Sequence, residues 1–449
     1  MAIADLIVDV SISASLNAPS LPGTDTPAYI GYHTHWPDRI RTYFDPADML
    51  VDGFTTTEPL YLMAAAGAAQ NPHINKFKII RGSTSVAQVH HFKVNASPVP
   101  GTQVGLTLTD PSGVTHALYI TIIAQTAAQV ATALAAIVVS GLTLVVDGVD
   151  NTQVNITVTA SGAIWYPSAM NGGVYHDVST SATPSADLAA AALIDSDFYG
   201  VSGAWLSPAN ITDIATWVES NKRLHAYTTA DTDNLTLGSG IFNTFKTSAY
   251  NRTYGQYSGT PANYGATALM ANRFTNDPGS DTWWGVNLSA VAADALTPNQ
   301  ISAATSLEGA PSNNGNVYAS GVFGENVTLT GLAASGLFID IQRGIDALTR
   351  DIQLRIFAAM QAASQAGKRI PRTRKGYSSM AGQVRASLQA FTTSGFLSDD
   401  VDQQFVVNVP DPKTATATDK KNRIMRGLTF VAYSAGGVQT VIIRGNISL

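Results

Sequence analysis

Two histidines one residue apart, His33 and His35, would lie on the same side of a strand, and imidazoles placed so can ligate a metal. A metal needs three or four ligands, and no carboxylate pattern completes this set. His90 and His91 are adjacent and would point to opposite faces of a strand. Asp147-Gly148-Val149-Asp150 and Asp231-Thr232-Asp233-Asn234 each open like a calcium loop. Neither carries the glycine and the later glutamate that such a loop requires, so turn chemistry is the expected use of both. Trp283 and Trp284, with Tyr250, Tyr254, Tyr257 and Tyr264, offer aromatic faces on which a sugar would stack. Packing in a core or an interface is the weightier use of such residues. Lys368, Arg369, Arg372, Arg374 and Lys375 form a dense basic run around Pro371, read either as a solvated loop or as an electrostatic dock for an acidic partner.

No standard catalytic motif accompanies these groups. There is no G-x-x-x-x-G-K-[ST] loop, no G-x-G-x-x-G after a strand, no H-E-x-x-H and no G-x-S-x-G. The chain has 0 cysteines, which removes disulfides, thiolate nucleophiles and cysteine-held metals. A formal net charge of -6 argues against a nucleic-acid binder, which would need a basic stripe to displace counterions. Only 13% of residues are charged, about half the usual ~25%, while 45% are hydrophobic. Weakly charged surfaces suit a chain that buries much of itself against other protein, since a charge at a contact is costly unless paired. Asp5 and Asp9 stand where an export signal would carry Lys or Arg, so none is expected. The longest helix-like apolar stretch, residues 127–139, is short of the ~20 a bilayer requires. The Asn155, Asn326 and Asn446 sequons are read as chance.

The elements that must position these residues follow from periodicity. Leu6, Val8, Val10 and Ile12 alternate with polar neighbours as a half-buried strand does, ahead of the breaker run Asn17-Ala18-Pro19-Ser20-Leu21-Pro22-Gly23. Val441, Ile443, Ile447 and Leu449 alternate likewise after Gly436-Gly437, so both ends read as strands behind hinges. Residues 85–165 read as a small α+β insert, with strands at 104–109, 117–123, 142–146 and 154–159, a hairpin turn at 110–113 and a helix over 126–139 capped by Thr126. From 198 onward helix and strand alternate, predicting an α/β core. Asn210 is expected to cap a helix over 211–221, followed by a strand at 223–228 and helices at 264–274, 338–365 and 379–391, the last ended by Gly395. The whole predicts an α/β (α+β) multidomain chain: an arm at 1–22, core from 23–84, the insert at 85–165, main core from 166–435 and an arm at 436–449.

The run Pro278-Gly279-Ser280-Asp281-Thr282-Trp283-Trp284, continued by Val291-Ala292-Ala293-Asp294-Ala295-Leu296-Thr297, resembles the signature of contractile tail sheath proteins. Gly279, Ser280, Thr282, Trp283, Asp294, Leu296 and Thr297 carry the match. Asn316-Val317-Tyr318, standing for an Asn-Tyr turn, then Gly336-Leu337-Phe338-Ile339-Asp340, Ile370-Pro371 and Val407-Asn408-Val409-Pro410 follow in the family's order. The resemblance is specific over 198–449 and looser over 27–81, where it looks like the phage sheath-like subgroup; the insert lies outside it, as outer decorating domains do. Arg372-Thr373-Arg374-Lys375 departs from the family's frequent Thr-Asp-Ala-Gly. The resemblance implies a core of tail-sheath type and a structural virion subunit, not an enzyme and without cofactors. Its partners would be further copies in a helical homo-oligomer, the tail tube protein, and baseplate and tail terminator proteins, with no direct nucleic acid and no membrane insertion. It implies a place in the contractile tail of a bacteriophage, assembled in the host cytoplasm, whose contraction drives the tube through the cell envelope for genome ejection. The strand-like ends would add to neighbours' sheets by β-augmentation, and the basic run at Lys368–Lys375 is a candidate tube-facing cluster. The alternatives are the sheath of a non-viral contractile injection system and a secreted carbohydrate-binding protein.

Overall fold

The computed structural model describes residues 23–33, 35–36, 38–82, 89–110, 114–159, 165–177 and 184–439. The expected arm strands at Leu6, Val8, Val10 and Ile12 and at Val441, Ile443, Ile447 and Leu449 lie outside those residues, as does most of the turn at 110–113. Two compact units divide the described chain: residues 25–275 with 283–339, and residues 23–24 and 276–282 with 340–439. Nothing in the residue pattern near 340 predicts that boundary.

In the first unit the chain runs β1 (Pro27–Gly31), β2 (Ile40–Tyr43), α1 (Pro46–Val51), α2 (Pro59–Ala68) and β3 (Phe77–Arg81). An excursion follows through β4 (Val89–Val94), β5 (Gln103–Thr109), β6 (Thr115–Thr121), α3 (Ala127–Ala135), β7 (Leu142–Val146), β8 (Gln153–Val158), β9 (Tyr166–Asn171) and β10 (Gly173–Asp177). The chain returns as α4 (Pro184–Ile194), β11 (Gly200–Gly203), α5 (Pro208–Ser220), β12 (Leu224–Thr229), α6 (Gly240–Thr247), β13 (Thr253–Tyr257), α7 (Gly265–Arg273), α8 (Pro298–Ala304), β14 (Asn316–Val322) and β15 (Glu325–Leu329).

One eight-stranded sheet, ordered β15-β14-β13-β12-β11-β1-β3-β2, organises this unit. Its inner strands are parallel and its two edge strands antiparallel. Parallel strands need crossovers, and helices serving as crossovers cover both faces. Hence β1, β12 and β13 are buried along their whole length. Alternate residues serve opposite faces: Tyr29, Ile79 and Tyr254 pack with Met63 of α2 and Met270 of α7, whereas Ala28, Ile30 and Val201 pack with Leu188 of α4 and Ile214 of α5.

The excursion builds its own core. Strands β10-β4-β8-β7 form one antiparallel sheet and β6-β5-β9 another, around Phe92, Leu106, Val130, Ile156 and Trp165. The capping box expected at Thr126 is present with Gln129, although α3 stops at Ala135. Because β9 pairs with β5 and β10 with β4, these separate sheets run on to Asp177, past the expected limit at Trp165.

The second unit holds α9 (Ile339–Gln365), which enters it at Asp340, α10 (Arg374–Thr393), β16 (Val406–Asn408), α11 (Ala417–Lys421) and β17 (Thr429–Val431). Leu348 and Ile352 of α9 pack with Val384 and Leu388 of α10, and the inner sides of the ribbon, Val407 and Phe430, close this cluster. No helix among the described residues is long and apolar enough to cross a membrane.

Three local expectations give way to the geometry. The helix placed after Asn210 starts at Pro208: Ser207 is the cap, its hydroxyl accepting from the Asn210 amide at 3.3 Å, and proline fits the first helical position. The helix placed at 379–391 begins at Arg374 and runs to Thr393. Gly376 hides that start, because a glycine reads as a breaker. Here it is required, since a Cβ would sit 1.8 Å from the Pro371 carbonyl oxygen. Asn316-Val317-Tyr318 is not a turn but the start of β14, because Val317 and Tyr318 are wanted as core on either face.

Candidate functional site

The groups singled out for ligand chemistry are consumed by packing. His33 and His35 do stack, ring centroids 5.8 Å apart, but His33 is buried against Trp36 and Phe54 and His35 bonds Glu58 at 2.8 Å. Burial first, and the neighbouring His35 second, push the His33 imidazole down to about 3. Among the described residues no group of three or more His, Cys, Asp or Glu gathers to hold a metal. His90 and His91 face opposite ways as expected, one to Tyr175 at 2.6 Å and the other to Gln153 at 3.1 Å. The Asp147 carboxylate accepts from the amides of Val149 and Asp150, and that of Asp231 from the Asp233 amide, which is turn chemistry. Trp283 is fully buried with its ring 5.3 Å from Tyr254, and Tyr257 and Tyr264 are buried too; half-buried Tyr250 stacks on Phe245, which leaves only Trp284 exposed and no shared aromatic platform among the six.

A doubly wound sheet places ligands at the carboxyl ends of its strands where the order reverses. Here that point lies between β1 and β11, and side chains fill it. A Cβ on Gly82 would meet the Trp205 ring at 2.7 Å, and one on Gly31 would meet Ala204 at 2.9 Å and Leu60 at 3.0 Å. Trp205, only 7% exposed, stops the crevice.

The signature residues have structural tasks. Gly279 adopts φ +81 and stands so close to Phe396 that a Cβ would approach the ring to 2.3 Å; Gly344 of α9 meets the same ring at 2.4 Å. The Ser280 hydroxyl closes a turn on the Asp277 carbonyl at 2.7 Å, and Thr282 lies against Gly437. The Trp283 carbonyl accepts from the Thr328 hydroxyl at 2.9 Å. Asp294 accepts from the Gly259 amide at 2.8 Å and bridges to Ala319, and burial holds its carboxyl above the usual range. Leu296 packs on the core beside α8, and Thr297 makes a capping box with Gln300 at that helix's start.

Three features escape periodicity. Asn316, fully buried, donates to the carbonyls of Gly255 and Leu332 and accepts from the amides of Gly331 and Leu332 and from the Thr330 hydroxyl, at 2.7–3.0 Å. Asp340, at the start of α9, is pushed up to about 7 by burial, with the Asp281 charge adding to it. Arg343, one turn on, is buried with its guanidinium on the carbonyls of Thr24 and Asn276, both at 3.0 Å. The Gly-Leu-Phe-Ile-Asp run marks the helix start but not these duties.

Two of the open surfaces among the described residues bear on the sequence-predicted site residues and on the C-terminal ribbon. In the ribbon of β16 and β17, Val406 faces Val431, and the pair is 55% and 50% exposed. Among the described residues each strand has one ladder neighbour. Two strands of three residues are marginal alone, and an unpaired edge is a template for another strand. The second surface is the basic run. Lys368, Arg369, Arg374 and Lys375 are exposed, while Arg372 reaches the Asp419 carbonyl at 2.9 Å. Arg374 and Lys375 stand in the first turn of α10, which has no acidic residue there and no side-chain cap. Cations at a helix N-terminus oppose its dipole, so this end attracts anions twice over.

No protein-family model matches the chain, and no curated protein matches it. Solved structures do. A chain of the cryo-EM structure of the anti-feeding prophage baseplate covers 98% of this chain and 98% of its own, with TM-score 0.54 and 10% identity. The PVC sheath complex of an extracellular contractile injection system, in the contracted state, gives TM-score 0.54 at 10% identity over 98% of this chain and 96% of that one. The contracted helical sheath of the anti-feeding prophage gives 0.53 at 11% over 98% of both. At such identities the likeness is one of fold, and it extends over nearly the full length, the α/β core of tail-sheath type included.

Proposed function

We propose that this chain is the repeating subunit of a contractile sheath, in a phage tail or a related injection device, and has no catalytic role. The full-length likeness to chains of contracted sheaths carries the reading. The open ribbon supports it. In the proposed assembly the strand-like ends of one copy, residues 6–12 and 441–449, lie along the β16–β17 ribbons of neighbours. Each added strand gains ladder bonds of ~1 kcal/mol net and sets its own apolar side chains beside the Val406–Val431 pair. Contraction repacks the rigid cores while these ladders keep copies connected. The basic run docks an acidic tube, Arg374 and Lys375 foremost; baseplate and terminator proteins meet the ends of the polymer.

Purified protein should form hollow striated cylinders under negative stain. Removal of residues 2–12 or 438–449 should leave monomers. Truncated chains that still build normal cylinders would overturn the mesh.

A further inference from the structure

Phe323 stands at the tip of the β14–β15 hairpin, 104% exposed. Its φ is +53 and that of Gly324 is +89, so both central residues of the turn are left-handed. Asn, Asp and Gly suit such a turn; a phenylalanine is disfavoured there, and its ring finds no neighbour to compensate. A register shift between Ala319 and Val322 re-aims the tip. An aromatic held in a disfavoured backbone and wholly in water is placed for something outside the chain, as interface anchors are.

Apart from the Val406–Val431 face, which the sheath reading gives to an incoming strand, two groups of three exposed apolar side chains among the described residues offer it a seat. Phe44, Leu50 and Val51, at 66%, 41% and 88% exposure, lie by the opposite edge strand β2, tied there by bonds from Arg41 and Tyr43 to Asp52. Leu354, Phe357 and Met360, at 53%, 39% and 41%, lie on the C-terminal half of α9. Charge decides between them. The tip carries exposed Glu325, and the first seat is flanked by exposed Asp45 and Asp48, which would repel it. The second leads into exposed Lys368 and Arg369, and its Asp351 is already paired with Arg355 at 2.7 Å.

We propose that the Phe323 tip of one copy seats on Leu354, Phe357 and Met360 of a second copy, with Glu325 facing Lys368 and Arg369. The contact rests on the sheath reading, which supplies the second copy. Donor and seat are different surfaces, so the contact is heterologous and passes from copy to copy, as a ring or a helix according to the rotation between copies.

A chain with 0 cysteines makes the test clean. Phe323→Cys with Phe357→Cys in one chain should give, on oxidation of assembled cylinders, a ladder of covalent multimers on a non-reducing denaturing gel. Mixing the two single variants should give dimers only. Phe323→Asn, a residue at ease in the turn, should leave monomer melting unchanged or raised, yet raise the critical concentration for assembly on the order of tenfold. Efficient dimers from Phe323→Cys alone, or a ladder only with Val51→Cys, would overturn the seat. So would normal cylinders in which no pair links. If the unaltered chain builds no cylinders, the sheath reading itself falls. The Phe323/Phe357 pair is then oxidised in concentrated solution, where a missing ladder refutes this contact as well.

Discussion

Asn316 grips Leu332 from both sides, its Nδ2 donating to the Leu332 carbonyl at 2.9 Å and its Oδ1 accepting from the Leu332 amide at 2.8 Å. One side chain thus does the work of a missing strand neighbour where β15 has ended. Asn316→Ala would strand these backbone groups in the interior, at ~1–3 kcal/mol for each one left unpaired. We expect a loss of at least 3 kcal/mol in urea unfolding of the monomer, and Asn316→Asp should not restore it, because a carboxylate cannot donate.

The Asp340 carboxyl makes the second unit more stable in mild acid. Its folded value of about 7 lies above the ordinary 3.8, so the folded state holds the proton more tightly. That contribution is full below ~3.8 and is lost as pH rises to about 7, by at most roughly 4 kcal/mol. Asp340→Asn should flatten the dependence of unfolding free energy on pH between 4 and 7. An unchanged slope would place the titration elsewhere.

Val406→Lys or Val431→Lys should separate folding from association. Both side chains are half exposed, so each exchange should move monomer stability by no more than ~0.5 kcal/mol. Sedimentation should nevertheless show the polymer lost, because an unpaired ammonium would stand beside the apolar side chains of the incoming strand.

Lys375→Glu should act with opposite signs on monomer stability and on association, and Arg374→Glu should weaken association too. A carboxylate in the first turn of α10 agrees with the helix dipole, so Lys375→Glu should add ~0.3–1 kcal/mol to monomer stability, and Arg374→Glu less, because it gives up the pair with Asp411 at 3.8 Å. Co-sedimentation with an acidic tube should fall, most at low salt, where such attraction is strongest.

Much of the fold was legible because it obeys a period. The strands at 142–146, seen as Leu142–Val146, and the helix at 338–365, seen as Ile339–Gln365, repeat their apolar residues at the spacing of their element. What escaped was aperiodic. The start of α10 hid behind Gly376, which reads as a breaker yet admits the Pro371 carbonyl. The division at residue 340 runs through an unbroken helix, and no local residue announces that its partners change. Asn316 reads as part of a turn only because the family resemblance sets an Asn-Tyr turn there, and no periodicity reveals its bonding. The Trp283 signature stands out by family likeness and not by spacing, and its task, a turn followed by a core anchor, shows only in the structure.

Trp205, wedged where the strand order of the large sheet reverses, keeps a latent receptor closed. Shaved to glycine, that position would leave an apolar hollow shaped to an indole ring. Well-packed interiors hold such vacancies dry and admit small aromatics from solution. The stability of the large sheet would then follow the dose of the added molecule: limp without it, stiff with it.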